Sequence, residues 1–91
     1  MNFTWGEAKR KDNVKKHRLD FVDASQVFAG DTVTILDDRQ DYGEDRFITL
    51  GLLHDQVVVI VHTESDDVIR VISMRKALRH EAENYLTQIG D

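Results

Sequence analysis

Apolar positions change their period along the chain, and the period marks out the elements. Phe3-Thr4-Trp5 places apolar bulk at alternate positions, the habit of a short edge strand. Thr4 and Glu7 have capping-box spacing for a helix over 6–16. That helix is polar nearly all round, so it belongs on the surface and buries little. Asp20 suits the N-cap of a second short helix, with Phe21, Ala24, Val27 and Phe28 on one stripe and Gly30 as the stop. From Thr32 the pattern turns β-branched, and 32–36, 46–53, 56–63 and 68–73 read as strands divided by turn-forming residues. The His54-Asp55 and Glu64–Asp67 connections are short enough for hairpins, which makes these strands antiparallel neighbours. Over 74–89 the period is helical again, with Leu78, Ala82, Tyr85, Leu86 and Ile89 on one stripe and Gly90 beyond. The expected architecture is α+β over residues 1–91 as a single domain: two N-terminal helices, an antiparallel sheet of three or four strands, and a C-terminal helix.

Composition narrows the class. With 91 residues and 41% hydrophobic content there is room for one core, and the chain is too apolar to be disordered despite its charge. The absence of cysteine excludes a disulfide framework, a thiolate zinc site and a thiol nucleophile. The longest aliphatic run, Val57 to Val61, cannot span a bilayer, and the opening residues lack a basic segment followed by an apolar one. The expectation is a soluble, cytoplasmic domain without a membrane partner. The net charge of -5 conceals a split: residues 1–20 carry an excess of basic groups, 21–67 a strong excess of acids, and 68–91 a slight basic excess. The basic density peaks from Lys9 to Arg18. Such a run can steer an anion such as RNA, although a solvated helix face is the plainer account. Overall acidity argues against a dedicated DNA-binding domain.

Several familiar chemistries fail on their spacing. His80-Glu81-Ala82-Glu83-Asn84 has Asn where a zinc protease needs its second histidine. The acidic stretch from Asp37 to Asp45 lacks the residue order of a calcium loop and has Arg39 inside it. There is no glycine-rich phosphate cradle and no nucleophile elbow, and the four histidines are scattered. No metal and no cofactor is therefore expected.

The chain as a whole resembles the BrnT family of bacterial type II toxins. Phe3-Thr4-Trp5-Gly6-Glu7-Ala8-Lys9 follows the family's F-x-W-D-x-x-K, and Asn13 with Lys16-His17 follows N-x-x-K-H. The likeness continues through Phe21, Ala24, Val27-Phe28, Glu44-Asp45-Arg46 and Gly51. It closes on Arg70-Val71-Ile72-Ser73-Met74-Arg75-Lys76-Ala77, then Glu81 and Tyr85, against R-I-I-S-A-R-x-A…E…Y. Coverage runs from about residue 3 to 85, and the last element is the most specific. Three positions depart: Gly6 replaces the usual Asp cap, Arg18 stands where glycine commonly follows Lys-His, and Met74 replaces a usual Ala. The first should weaken the helix start, and the second puts the usual turn geometry in question.

The resemblance implies a RelE-like fold and a ribonuclease that blocks growth by cutting RNA. It also implies a ribbon-helix-helix antitoxin of the BrnA type as partner, with DNA engaged only through the toxin–antitoxin complex. The alternative is a non-catalytic binding module kept as the toxin-like half of an autorepressor. Metal-free RNA cleavage needs a base for the 2′-hydroxyl, an acid for the leaving 5′-oxygen and cations around the phosphorane. Arginine suits the last task, because its fork holds two phosphate oxygens and its charge survives any ordinary pH. The expected metal-independent endoribonuclease would use Arg46, Arg70 and Arg75 as those cations; a strand arginine can equally blunt a sheet edge. Arg75 sits near a helix start, which disfavours a cation unless an anion offsets it. His17 and Glu44 are the foremost acid–base candidates, ahead of His62 and Glu81. Lys9 and Lys16, a helical face apart, suit backbone-phosphate contacts. Glu81 is expected to be half-buried and paired to an arginine. A two-residue turn at His54-Asp55 and a four-residue turn at Glu64–Asp67 put Arg46, Val61, Thr63 and Arg70 on one sheet face. Phe47, His62 and Ile69 then share the other, which would make His62 structural.

Overall fold

The computed structural model describes residues 1–90. In chain order its elements are β1 (Asn2–Thr4), α1 (Glu7–His17), a 3-10 turn (Phe21–Asp23), α2 (Ala24–Phe28), β2 (Val33–Asp37), β3 (Arg46–Leu53), β4 (Gln56–Ser65), β5 (Val68–Lys76) and α3 (Arg79–Ile89). The strands form one sheet in the order β1-β5-β4-β3-β2. β1 runs parallel to β5, and every other neighbour is antiparallel. The α+β class is as expected, but the sheet has five strands rather than three or four, and it is mixed rather than antiparallel. Three residues are too few to declare a strand by periodicity. Tertiary contacts hold β1 in place: Phe3 pairs with Ile69 and packs on Phe28 with ring centroids 5.5 Å apart.

The start of α1 departs from the capping box. Gly6 is the N-cap and no side chain caps the helix. Glu7 instead takes an ion pair from Arg10 and a hydrogen bond from Trp5 Nε1 at 3.3 Å. The end of α1 keeps a glycine-like turn without glycine. Arg18 adopts the left-handed conformation at φ 59°, and its N–H reaches Val14 O. That conformation costs an L-residue roughly 1 kcal/mol. Asp20 caps the next turn as expected, accepting from Val22 N–H at 3.1 Å, but the second helix opens as a 3-10 turn before continuing as α2.

Asn13 decides where β5 ends. Its Nδ2 donates to Leu19 O and to Met74 O, both at 2.9 Å, while Met74 N–H donates to its Oδ1 at 3.1 Å. The side-chain amide thus supplies the donor and acceptor that a neighbouring strand would supply, just where β1 has run out. With β4 pairing it on the other side as far as Lys76, β5 continues to Lys76, and α3 starts at Arg79 instead of about 74. Tyr85 is the buried residue of α3, its hydroxyl donating to Asp31 O at 2.7 Å, whereas Leu78 and Leu86 of the expected stripe stay exposed.

The core lies between one sheet face and the α1–α2 layer. Leu19, Phe21, Ala24 and Val27 meet Leu53, Val58, Ile60, Ile69, Val71 and Met74. Gly51 permits the approach of α2, because a Cβ there would lie 2.6 Å from Val27 Cγ1. The β3–β4 turn is the expected two-residue one, with His54 and Asp55 at φ 49° and 67° as a type I′ turn requires. The β4–β5 turn is shorter than expected: Ser65 faces Val68, leaving Asp66-Asp67 as the loop. The register slips by two residues, which preserves the assignment of side chains to faces.

Candidate functional site

The second sheet face is only partly covered. α3 lies over one end, where Val33, Leu50, Tyr85 and Glu81 line a cavity of about 220 Å³. Away from α3 the register brings together Ile35, Ile48 and Val61, and beyond them Arg46, Thr63 and Arg70. Thr63 faces Arg70 directly, and Arg46 immediately precedes the Phe47–His62 pair, opposite Thr63 on the other side. With neighbouring strands about 4.8 Å apart, the two arginine backbones stand about 10 Å from each other, within reach of one shared phosphate. Neither arginine forms an ion pair among the described residues. Arg46 lies over the Tyr42 ring, its guanidinium carbon 4.0 Å from the ring centroid, and its Nε is buried without a hydrogen-bond partner. Arg70 is exposed beside Thr4 of β1.

Arg75 reaches the same face through an irregularity. Residues 70 and 75 should point to opposite sides of a regular strand. Between them the register shifts: His62 pairs with Val71 but Val61 with Ser73, so Ile72 is the extra residue of a β-bulge. Arg70 opposite Thr63 and Arg75 opposite Val59 then lie on one face. The guanidinium of Arg75 is already occupied, donating to the two carboxylate oxygens of Glu81 at 2.8 and 3.0 Å. Glu81 is half-buried and also accepts Leu78 N–H at 2.8 Å. The Arg75 guanidinium, with the Leu78 N–H, holds the pKa of the Glu81 carboxyl at about 2. The anion that offsets Arg75 is therefore part of the protein.

His62 belongs to the opposite face. It is fully buried between Phe28 and Phe47, with ring centroids at 5.2 and 5.8 Å. Its Nε2 shares a 2.7 Å hydrogen bond with Thr49 Oγ1, which in turn lies 2.7 Å from Thr34 Oγ1. Burial pushes its pKa down, the nearby Glu64 opposing only in part. A neutral, enclosed imidazole cannot reach substrate, so its work is packing.

The remaining candidates separate into two places. Lys16 and His17, at the end of α1, line a groove of about 610 Å³ together with Arg18, Arg75, Lys76 and Leu78. A second hollow of about 240 Å³ shares Lys16 and His17 and adds Lys9, Asp12, Asn13, Ile72 and Ser73. Glu44 is elsewhere, in the loop after β2, where Tyr42 and the carboxylates of Asp37, Asp38, Asp41 and Asp45 surround a hollow of about 690 Å³. Within that loop Arg39 holds the pKa of Asp37 at about 2 through bonds of 2.7 and 2.8 Å. His17 is thus a neighbour of Arg75, Lys9 and Lys16, whereas Glu44 is on the side of Arg46. Periodicity and spacing did not single out Tyr42, Arg18 or Lys76 as site residues; each is adjacent to, or within a few residues of, one that they did. Among the described residues no group of three or more His, Asp or Glu side chains is gathered as a metal site, and no helix is long and apolar enough to cross a membrane.

A family model described as "Ribonuclease toxin, BrnT, of type II toxin-antitoxin system" matches residues 5–81. No curated protein matches the chain.

Proposed function

The chain belongs to the BrnT family of ribonuclease toxins of type II toxin–antitoxin systems, and from that premise we propose that it is an endoribonuclease working without a metal ion at the open sheet face. The observation that carries the reading is the Arg46–Arg70 pair flanking Thr63, two cations on one sheet face with no ion pair to either among the described residues, Asp37 opposite Arg46 being taken by Arg39. Like charges so placed repel, and a phosphodiester relieves the repulsion while presenting its scissile bond to both. The 2′-oxygen bonds to phosphorus as the P–O5′ bond breaks, leaving a 2′,3′-cyclic phosphate and a 5′-oxygen that takes its proton from solvent; the charge that builds on the non-bridging oxygens is held by the two guanidinium forks more tightly than in the starting diester. Thr63 offers a hydroxyl to the same group. Glu44, two residues before Arg46, is the carboxylate assigned to take the 2′-hydroxyl proton. His17 and Arg75 serve the neighbouring groove. The stacking of Arg46 on Tyr42 fixes a side chain that would otherwise lose entropy on binding.

The family premise supplies RNA as target and an antitoxin as partner. We assign the partner to the ribbon-helix-helix class and the site of action to the cytoplasm, with DNA contacted only through the complex. The purified chain, freed of any antitoxin, should degrade RNA in excess EDTA, and Arg70→Ala should abolish both this activity and growth arrest on induction. Cleavage that EDTA stops and magnesium or manganese restores overturns the arginine mechanism. Growth arrest that survives Arg70→Ala removes Arg70 from the site.

A further inference from the structure

The sheet-face pair accounts for two cations, but a denser concentration of positive charge lies along the far end of β5, where α1 packs against the strand that β1 has ceased to cover. Lys16, His17, Arg18, Arg75 and Lys76 line the larger groove with Leu78, and no carboxylate is among its lining residues. The adjoining hollow shares Lys16 and His17 and carries the channel along α1 to Lys9, with Asp12 its one acid. In a chain whose net charge is -5, this concentration is local and not a consequence of composition. The left-handed Arg18, which turns the chain off the end of α1, lines the larger groove, and the bulge residue Ile72 of β5 lines the adjoining hollow.

We infer that this groove is a track for the sugar–phosphate backbone of single-stranded RNA, which runs along β5 from the Arg70 end to Lys76 so that several nucleotides are held beside the one being cut. The inference rests on the ribonuclease reading above and extends it to the length of substrate engaged. Arg70 and Arg75 are five positions apart on one strand, roughly 15 Å at a strand's rise, which is a separation of a few phosphates along an extended chain. Arg75, turned onto the Arg70 face by the bulge, lines both this groove and the cavity on that face and so joins the two. Glu81 takes the planar fork of Arg75, leaving Lys16, Arg18 and Lys76 as the exposed charges that meet phosphate. Point charges on flexible stems suit a backbone read without base preference. An acidic polypeptide is the competing occupant; the ribonuclease family of the chain favours RNA, and the test below separates the two.

The test uses a fluorescent, uncleavable 2′-O-methyl RNA of about ten nucleotides and follows its anisotropy against salt concentration. The Lys16→Glu/Lys76→Glu double variant should lose roughly tenfold or more in affinity, and the slope of log affinity against log salt should fall by about 0.7 for each phosphate no longer neutralised. The milder Lys16→Gln/Lys76→Gln variant should move both in the same direction by less, and a thermal unfolding curve like that of the parent excludes misfolding as the cause. Unchanged affinity and slope in a folded double variant overturn the track. Poly-glutamate bound as tightly as the oligonucleotide at equal charge overturns it in favour of an acidic protein. If the parent binds the oligonucleotide through these lysines but never cuts RNA, the track stands and the catalytic reading fails.

Discussion

Gly6 and Arg70, far apart in sequence, set the charge state of the open face. A Cβ built at position 6 would lie 3.7 Å from Arg70 Nη2. The BrnT pattern commonly has Asp at this place, and its evident use in the sequence is to cap α1. In the fold a carboxylate there would cap the helix and also reach the Arg70 guanidinium. Gly6→Asp should therefore produce two opposed effects. Stability should rise by roughly a few tenths of a kcal/mol, because glycine is itself a tolerable N-cap. RNA cleavage should fall by no more than about threefold as the new carboxylate competes with phosphate for Arg70, equivalent to about 0.6 kcal/mol in the barrier, since the family's ribonucleases commonly carry Asp here. Urea unfolding and kcat/KM on one RNA substrate check the pair, and an undiminished kcat/KM would show that Arg70 does not need to be free.

Among the elements, β5 depends on a helix for its second neighbour. β1 pairs only with Val68–Arg70, and beyond that the Asn13 amide takes over at Met74. The sequence places Asn13 on a helix that is polar nearly all round; in the fold it is buried, and its three hydrogen bonds tie α1, the Leu19 carbonyl and β5 together. Asn13→Ala leaves the Met74 N–H and C=O and the Leu19 C=O without these partners. The expected loss is on the order of 3 kcal/mol, because orphaned buried polar groups cost more than their hydrogen bonds gain. Chemical denaturation at neutral pH measures it. A loss within about 0.5 kcal/mol, the range of an ordinary surface substitution, would mean that water replaces the amide and that α1 is not fastened this way.

Across the whole molecule, electrostatic pairs join parts that packing leaves apart. Arg75 and Glu81 hold the end of β5 to the start of α3, and the carboxyl pKa is brought down to about 2. An unfolded glutamate titrates near 4.3, so the folded chain binds fewer protons between these values. The pair's contribution is complete above about pH 5 and disappears as pH falls through about 2. Asp37, lowered to about 2 by Arg39, acts in the same window and the same direction. His62, whose pKa burial depresses, takes up a proton more readily unfolded and so begins to erode stability as pH drops below about 6.5. Stability should thus decline from weakly acidic pH and more steeply toward pH 2. Glu81→Gln should flatten the part below about pH 5 while leaving the shallower decline above it. Urea midpoints across the range test this, and an unaltered slope in the variant would remove the Arg75–Glu81 bridge from the account.

By itself the sequence determined whatever depends on local period and turn chemistry: an α+β chain, the positions of β3 and β4, the type of the first hairpin, the Asp20 cap and the apolar stripe from Phe21 to Val27. Strand parity also correctly separated Arg46, Thr63 and Arg70 from His62, because a slip of two residues at the second hairpin leaves faces unchanged. Tertiary structure decided the rest. β1 shows in the sequence only as the alternation of Phe3 and Trp5, and its parallel pairing with β5 rests on Phe3 packing against the core; β5 outruns the expected strand because β4 pairs with it as far as Lys76 while Asn13 bonds it at Met74. The Ile72 bulge, which no period encodes, turns Arg75 to the face of Arg70. The pairing of Arg75 with Glu81, and the gathering of Lys16, Arg18 and Lys76 around one groove, follow from contacts between elements distant in the chain, where local pattern carries no information.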